Sequence, residues 1–390
     1  MRILIAPDSY KGSLTARQAA DCIARAAARI WPEAQIDCLP LADGGEGTAA
    51  ILTDACRGRM VPCRAEDPLG RLINTEYGLL PDQTAVIEMA SASGLMLLGD
   101  TERKPLKAST TGTGQLIADA LRRGCRKIIL TIGGSATNDG GMGALHALGV
   151  RFLDGGHETL SPQPENLLKI HRIDLNQLLP EAHDLSLTIL CAVSNPLLGP
   201  AGATAVYGPQ KGVDTLSAPV LEQGLTHLAD CLVSAGCPDM RDLPGAGAAG
   251  GLGFGLCSVL NGTLSPGLPV ILDYIGFSDR LAQADLVVTG EGQLDHQSLQ
   301  GKVVGGLAEQ CRLMNRPMVV LPGSLSDETT PLYEAGIAAI MPLSHRAQPL
   351  DQLLDQAAAR LEDAAIRMFA LILTGLQLNL AESDEHPASE

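Results

Sequence analysis

The sequence predicts an α/β protein with two α/β domains, in which both chain ends form one discontinuous parallel-sheet domain and a mixed α/β domain is inserted between them. Three observations carry this prediction. Short apolar runs alternate with helical segments over residues 1–62 and 276–380, whereas residues 63–275 open on an alternating polar and apolar pattern. The length of 390 residues also exceeds what one core normally supports. Residues 381–390 are polar and acidic, which predicts a disordered tail.

The first sixty residues predict two successive strand–loop–helix units. RILIA at residues 2–6 is a short apolar strand, and a helix with apolar spacing follows over residues 14–30. Thr15 is the candidate N-cap of this helix, and Trp31-Pro32 is its stop. QIDCLPL and TAAILTDAC then repeat the strand and helix pattern.

The inserted segment predicts antiparallel strands, then parallel βα units. Residues 61–80 and 83–90 alternate in polarity and carry turn residues, as antiparallel strands do. A helix over 113–124 precedes the apolar strand 127–132, and residues 153–180 are expected to be rich in loops.

The βα pattern returns near the carboxyl end of the chain. ADLVVTG, RPMVVLPGS and IAAIMPL predict strands, with helices between and after them. Together with the amino-terminal units, they predict a Rossmann-like parallel sheet.

A glycine-rich loop, GGSATNDGG, stands between the strand 127–132 and a helix. Its candidate binding residues are, in order, Gly133, Gly134, Ser135, Thr137, Asn138 and Asp139. The two leading glycines let the backbone approach a ligand closely, and the next three residues supply small polar groups. The aspartate either caps the following helix or holds a metal ion. A helix N-terminus at such a loop is also a ready anion site.

Further loops combine acidic residues with glycine. Asp8 follows the first strand, Asp43 precedes Gly44 and Gly45 after the second, and Glu291 follows the strand ADLVVTG. Ligands of open α/β sheets bind outside the carboxyl ends of the strands. Carboxylates and glycine backbone at this edge are what a magnesium and phosphate site requires.

Taken together, these loops resemble the class I glycerate kinases of bacteria. The segments that carry the resemblance are IAPDSYKGSL, LADGGEGT, IEMASASGL, TTGTGQLI, IGGSATNDGG, NPLLGPAGATAVYGPQKG, PGAGAAGGLG, VTGEGQLD and QGKVVGGLA. They occur in order from near residue 3 to near residue 310. The resemblance implies a magnesium-dependent kinase that transfers the γ-phosphoryl of ATP to D-glycerate, giving 2-phosphoglycerate, with 3-phosphoglycerate as the alternative product.

On this resemblance we assign candidate roles. Asp295 is the expected proton acceptor, with Asp8 as a further catalytic carboxylate, and Lys11 and Lys211 offset transition-state charge. The expected phosphate ligands are Gly44, Gly45, Gly133, Gly134, Ser135, Thr137, Asn138 and Lys302, and the expected Mg²⁺ ligands are Asp43, Asp139 and Glu291. From the residues alone, Asp295 could instead supply a negative charge to the helix after it, and a loop lysine could simply be solvated.

Three positions depart from the family pattern. Ala192 stands where the family often has Asp, Gln293 where it often has Arg, and Gly12 where it often has Glu. These departures bear on fine substrate or phosphate contacts rather than on the class of reaction.

Two other functions are compatible with parts of the sequence. Glycine loops on two domains would also serve a non-catalytic sensor of a nucleotide or phosphorylated acid. GAGAAG at residues 245–250 has the spacing of a dinucleotide-binding loop, but no strand precedes it, so helix packing or a phosphate contact are the better interpretations.

The net charge of −16 argues against nucleic acid as a partner, since phosphate neutralisation needs a basic face. The ten cysteines show no metal-site spacing, and no apolar run has the length of a signal peptide or a transmembrane helix. We therefore expect a cytoplasmic protein with reduced thiols that acts on a small molecule without a membrane partner. The sequence leaves its oligomeric state open.

Overall fold

The computed structural model describes residues 1–299, 301–326, 328–344 and 348–384. Strands and helices alternate at its amino terminus. The first elements are β1 (Arg2–Ile5), α1 (Ala16–Ile30) and β2 (Gln35–Cys38). Thr15 is the N-cap of α1: its hydroxyl accepts from the Gln18 N–H, and the Gln18 side chain accepts from the Thr15 N–H. Trp31 is the C-cap, so both predicted ends of this helix are confirmed.

The middle of the chain contains the predicted antiparallel strands and later βα units. Its elements are α2 (Thr48–Ala55), β3 (Arg59–Glu66), β4 (Leu72–Leu79), β5 (Thr84–Glu88), α3 (Ala90–Ser93), α4 (Thr111–Arg122), β6 (Lys127–Thr131), α5 (Met142–Ala147), β7 (Arg151–Leu153), β8 (Arg172–Asp174), β9 (Ser186–Leu190), α6 (Ala203–Tyr207), α7 (Ser217–Ser234), α8 (Ala248–Leu260) and β10 (Thr263–Ser265). The region predicted as loop-rich thus contains β8 and pairs it with β7.

The remaining elements extend to the end of the described chain. They are α9 (Gly267–Tyr274), α10 (Phe277–Gln283), β11 (Leu286–Thr289), β12 (Gln293–Leu294), α11 (Val303–Leu313), β13 (Met318–Val320), β14 (Ser324–Leu325), α12 (Thr330–Glu334), β15 (Ala339–Ile340), α13 (Leu350–Asp355) and α14 (Ala357–Asp384). The tail predicted at 381–390 is helical up to Asp384, and residues 385–390 lie outside the described residues. Among the described helices, none combines the length and apolar character needed to cross a membrane.

The chain divides into a first unit, residues 1–43 with 271–390, and a second unit, residues 44–270. The first unit contains a parallel sheet of order β15–β13–β11–β1–β2. Its core is built mainly from aliphatic side chains, with α1 and α14 in contact and Trp31 packed edge-on against Phe369 at 5.7 Å between ring centroids. The predicted α/β class is confirmed for this unit.

The second unit is built on a mixed sheet of order β10–β9–β6–β5–β4–β3. β3, β4 and β5 pair in antiparallel fashion, whereas β5, β6, β9 and β10 are parallel. The apolar alternation of residues 61–80 therefore correctly predicts the antiparallel part, and the mixed α/β class predicted for the inserted segment is confirmed.

The division between the units differs from the predicted domain boundary, which placed residues 44–62 in the first domain. In the structure these residues belong to the second unit. The physical reason is the start of α2, where the Ala49 N–H donates to the Glu88 carboxylate at the end of β5 at 2.7 Å.

Candidate active site

Three predicted carboxylates lie at the carboxyl edge of the first unit's sheet. Asp8, Asp43 and Glu291 follow the ends of β1, β2 and β11. The Asp8 N–H donates to the Gly290 carbonyl at 2.9 Å, and the Gly323 N–H donates to the Glu291 carbonyl at 2.9 Å. These bonds hold the loops after β1, β11 and β13 side by side, at the edge where open sheets bind ligands.

Glu291 is a buried carboxylate at this edge. Its side chain is 8% exposed, and its Oε1 has no hydrogen-bond partner within the described part of the chain. Burial raises the pKa of Glu291 to about 7, although the Ser298 hydroxyl and the Lys302 charge lower it, while Asp8 and Asp295 raise it further. A buried carboxylate with an unpartnered oxygen is suited to binding a cation or a proton.

Asp8 is perturbed in the same direction. Burial raises its pKa to about 6, against the effect of the Ser9 N–H, which donates to Asp8 Oδ1 at 2.6 Å. The Asp43 charge raises the pKa of Asp8 further and the Lys11 charge lowers it. Burial thus moves the pKa of both Asp8 and Glu291 toward neutrality, the range that suits a group that assists proton transfer.

Two predicted lysines accompany these carboxylates in the first unit. Lys11 is exposed in the loop after β1, and its charge acts on Asp8. Lys302 is half-buried at the N-cap of α11, and its charge acts on Glu291. A cation at a helix N-terminus is unfavourable by itself, so Lys302 is well placed only with an anion nearby.

Asp295 has the contacts of a helix cap. Its Oδ1 accepts from the N–H groups of Gln297 at 2.8 Å and Ser298 at 3.2 Å, at the start of a short 3₁₀ helix. Gln293, one of the three departures, donates to its Oδ2 at 3.3 Å. These contacts match the structural alternative that the sequence leaves open, and the catalytic role of Asp295 stays a prediction.

Asp139 caps α5 from within the GGSATNDGG loop. Its carboxylate accepts from the Thr110 N–H and hydroxyl, both at 2.8 Å, and from the N–H groups of Gly141 at 3.0 Å and Gly143 at 3.2 Å. The side chain is fully buried, and burial raises its pKa. The described residues contain no cluster of three or more His, Cys, Asp or Glu side chains that could together hold a metal ion. Of the two roles predicted for Asp139, the structure shows the cap, which also occupies the anion site expected at this helix N-terminus.

The exposed part of this loop is its first two residues. Gly133 and Gly134 are exposed, whereas residues 135–141 are buried. A Cβ placed on Gly133 would lie 3.8 Å from Gly45 Cα and 3.9 Å from the Gly44 carbonyl oxygen. The structure thus brings together four glycines predicted to contact phosphate.

Glu88 is a neighbouring carboxylate that sequence reasoning missed. It accepts from the N–H groups of Ala49 and Gly47, so it occupies the N-terminus of α2 just after the Gly44–Gly45 pair. Burial raises its pKa. Its position as the last residue of an apolar strand gave no signal of this role.

The buried part of the GGSATNDGG loop retains unpartnered oxygens. Thr137 Oγ1 and Asn138 Oδ1 have no hydrogen-bond partner among the residues that the structure describes. The Asn138 amide donates to Thr204 Oγ1 at 3.0 Å, and Ser135 forms a backbone bridge with Gly94. These contacts anchor the loop from two sides.

Lys211 lies inside the second unit instead of in solvent. It is 2% exposed, and its Nζ donates to the Thr137 carbonyl at 2.7 Å. Burial lowers its pKa to about 7, while the Asp139 charge raises it. The solvated alternative is therefore wrong, and a direct catalytic contact of Lys211 stays a prediction.

The GAGAAG segment packs against the same loop. The Gly140 N–H donates to the Gly250 carbonyl at 2.9 Å, and residues 249–251 all have positive φ at the start of α8. A Cβ on Gly250 would lie 2.1 Å from the Thr137 carbonyl oxygen. This close backbone contact supports the helix-packing interpretation over a dinucleotide loop.

We predict that Gly251→Ala destabilises the protein far more than Gly199→Ala. Both glycines lie in the second unit with nearly equal φ, +87° and +86°. A Cβ on Gly251 would lie 2.9 Å from Gly140 Cα, whereas nothing lies within 4 Å of a Cβ on Gly199. The strain of positive φ costs both variants about 1 kcal/mol, and overlap adds roughly 2 kcal/mol or more for Gly251→Ala. Urea unfolding measures the difference, and equal losses would contradict this packing.

The second unit also has a cavity of about 500 Å³, whose lining includes Ser109 and Thr111 on either side of Thr110. Glu66, Lys107, Thr111, Arg122 and His146 are among its lining residues. None of the predicted site residues lines it.

Comparison with known proteins gives one consistent result. The model of the glycerate kinase family matches residues 3–373 of this chain. A glycerate kinase of Bacillus subtilis (strain 168) is 42% identical over 366 residues, which cover 94% of this chain and 96% of that protein. The glycerate 2-kinase of Escherichia coli (strain K12) is 37% identical, over 97% of this chain and 99% of its own length.

A solved structure agrees with these relatives. A crystal structure from Salmonella typhimurium LT2, named as a glycerate kinase 2, matches with a TM-score of 0.87 and 39% identity. The match covers 97% of this chain and 99% of that one, so the similarity includes both units.

Proposed function

Because this chain belongs to the glycerate kinase family, we propose that it transfers the γ-phosphoryl group of ATP to D-glycerate. The product is 2-phosphoglycerate, in line with the similarity to a glycerate 2-kinase. The observation that carries this proposal is the buried Glu291, whose Oε1 has no hydrogen-bond partner among the described residues. The charge of Asp8 raises the pKa of Glu291, and the charge of Lys302 lowers it. A protein that only bound phosphate would gain nothing from such carboxylates.

The carboxylates fit a magnesium ion. Glu291, after β11, supplies a buried oxygen with no hydrogen-bond partner among the described residues, and Asp43 follows β2, on the far side of β1 at the same sheet edge. Mg²⁺ needs only one or two carboxylates when phosphate oxygens and water complete its shell, so a preformed set of three protein ligands is not required. When bound, magnesium offsets the charge on the β- and γ-phosphate oxygens.

Asp8 is the proposed proton acceptor for the glycerate hydroxyl. Its pKa of about 6 leaves it ionised at pH 7 yet basic enough to take up a proton. Lys11 and Lys302 then offset the negative charge of the transferred group. Asp295 caps the loop beside Glu291 and keeps that loop in place.

The exposed glycines are the proposed phosphate contacts. Gly133 and Gly134 offer backbone N–H groups without side chains, and Gly44 and Gly45 lie against Gly133. Such surfaces bind phosphate through the backbone. In this proposal Ser135, Thr137 and Asn138 support the loop, as their burial suggests.

The test is ADP release with ATP, Mg²⁺ and D-glycerate, followed by phosphorus NMR of the product. We expect turnover of about 1–100 s⁻¹, abolished when EDTA removes the metal. The position of the new phosphate ester identifies the 2- or the 3-hydroxyl. Folded protein that binds ATP but releases no ADP above background would contradict the proposal and favour a nucleotide sensor.

A further inference from the structure

A buried threonine, Thr110, connects three parts of the second unit. Its N–H and its hydroxyl both donate to Asp139 Oδ2 at 2.8 Å. The same hydroxyl accepts from the Ala144 N–H at 2.9 Å. One side chain therefore joins the start of α4, the GGSATNDGG loop and the first turn of α5.

A buried lysine, Lys211, contacts the same loop. Lys211 and Asp139 interact electrostatically, and Lys211 Nζ donates to the carbonyl of Thr137, two residues before Asp139. Both side chains are withdrawn from water. A buried carboxyl group is tolerated only where hydrogen bonds satisfy its oxygens, and four such bonds reach Asp139.

We propose that Thr110 is a positioning residue for phosphoryl transfer. By holding Asp139, Thr110 fixes residues 135–141 so that Gly133 and Gly134 present their N–H groups to the phosphates of ATP. The inference rests on the proposed function, and it assigns the Thr110–Asp139–Lys211 cluster to nucleotide binding instead of to contact with glycerate.

The substitution Thr110→Val isolates this role. Valine keeps the branched shape and the backbone N–H, but it removes the hydroxyl bond to Asp139 and leaves the Ala144 N–H without its acceptor. Buried groups that lose a partner drive local rearrangement. Thr110→Ser restores the hydroxyl and is the conservative rescue.

Thr111→Val is the matched control. Thr111 is the next residue, is also buried, and bonds through its hydroxyl to Ser109 Oγ at 2.8 Å and not to Asp139. It therefore reports the cost of losing a buried threonine hydroxyl near the start of α4 without loosening the loop.

Steady-state kinetics test the proposal. We expect Thr110→Val to lower kcat/KM for ATP by roughly 10- to 100-fold while KM for D-glycerate stays within about twofold. Thr110→Ser should return kcat/KM for ATP to within about threefold of the unmodified protein, and Thr111→Val should leave it unchanged. A folded Thr110→Val variant with normal kcat/KM, or an equal loss in Thr111→Val, would overturn the assignment.

A second measurement needs no turnover. In ¹⁵N-labelled protein, Mg–ADP should shift the amide signals of Gly133 and Gly134, less so in Thr110→Val, with recovery in Thr110→Ser. No shift at these glycines in the unmodified protein would contradict the inference. Shifts without phosphorylation of D-glycerate would contradict the proposed function alone.

Discussion

Glu291→Gln is expected to lower kcat by roughly 10²–10³-fold and yet to raise the melting temperature of the free protein near pH 8. Glutamine keeps the shape of the side chain but cannot carry the charge that we propose binds magnesium. In the folded protein the pKa of Glu291, about 7, lies above its ordinary value, so the folded state binds the proton more tightly than the unfolded chain. The stability from Glu291 is therefore present in acid and lost as the pH rises through 7.

Thermal unfolding at several pH values measures this gain. Near pH 8 the variant should be more stable by roughly 1–3 kcal/mol, and the difference should shrink as the pH falls and vanish below about pH 4, where Glu291 is protonated in both the folded and the unfolded state. Glu309→Gln is the control, because Glu309 lies exposed on α11. A Glu291→Gln protein with normal kcat would contradict the catalytic role assigned to Glu291. A lower melting temperature near pH 8 would contradict the buried environment assigned to it.

Asp8→Asn is expected to reduce kcat by roughly 10²–10⁴-fold, whereas Asp295→Asn should keep it within about tenfold. Asparagine at position 8 cannot accept the hydroxyl proton. At position 295 its side-chain oxygen can still accept from the N–H groups of Gln297 and Ser298, so the cap survives.

ADP release by the two variants, under identical conditions, distinguishes the assignments. The reverse order of activities would make Asp295 the base, as the sequence resemblance implies, and would leave Asp8 as a supporting charge. Asp295→Ala tests the structural role of Asp295 separately. Loss of the cap should lower the free energy of unfolding by about 1 kcal/mol, whereas Asp295→Asn should lower it less.

Much of the fold is predictable because buried parallel strands are continuous apolar runs. The run at residues 127–132 becomes β6, and the alternating residues 61–80 become the β3–β4 pair. Residues 44–62 fall in a different structural unit from the predicted domain, for a reason of another kind. α2 is held by Glu88 from a strand far along the chain, and local pattern carries no information about such a partner.

The site shows the same limit. The acid-and-glycine loops correctly predict which residues lie at the carboxyl ends of β1, β2 and β11, since that follows from local order. Spacing could not reveal that Asp139 is satisfied by Thr110, 29 residues earlier, or that Lys211 is buried against Thr137. A charged residue in a glycine loop is ambiguous until its three-dimensional neighbours are known.

The order of strands in the first unit has a consequence for biosynthesis. β1 pairs with β2, which follows within forty residues, but also with β11, which begins only at Leu286. At ribosomal rates of about 5–20 residues per second, roughly 15–60 s pass between the synthesis of β1 and the synthesis of β11. The whole of residues 44–270 leaves the ribosome in the interval, so the inserted unit can fold while the nascent amino-terminal strand still has an open edge. That edge is where a chaperone would act, and slower translation of the middle of the gene would lengthen its exposure.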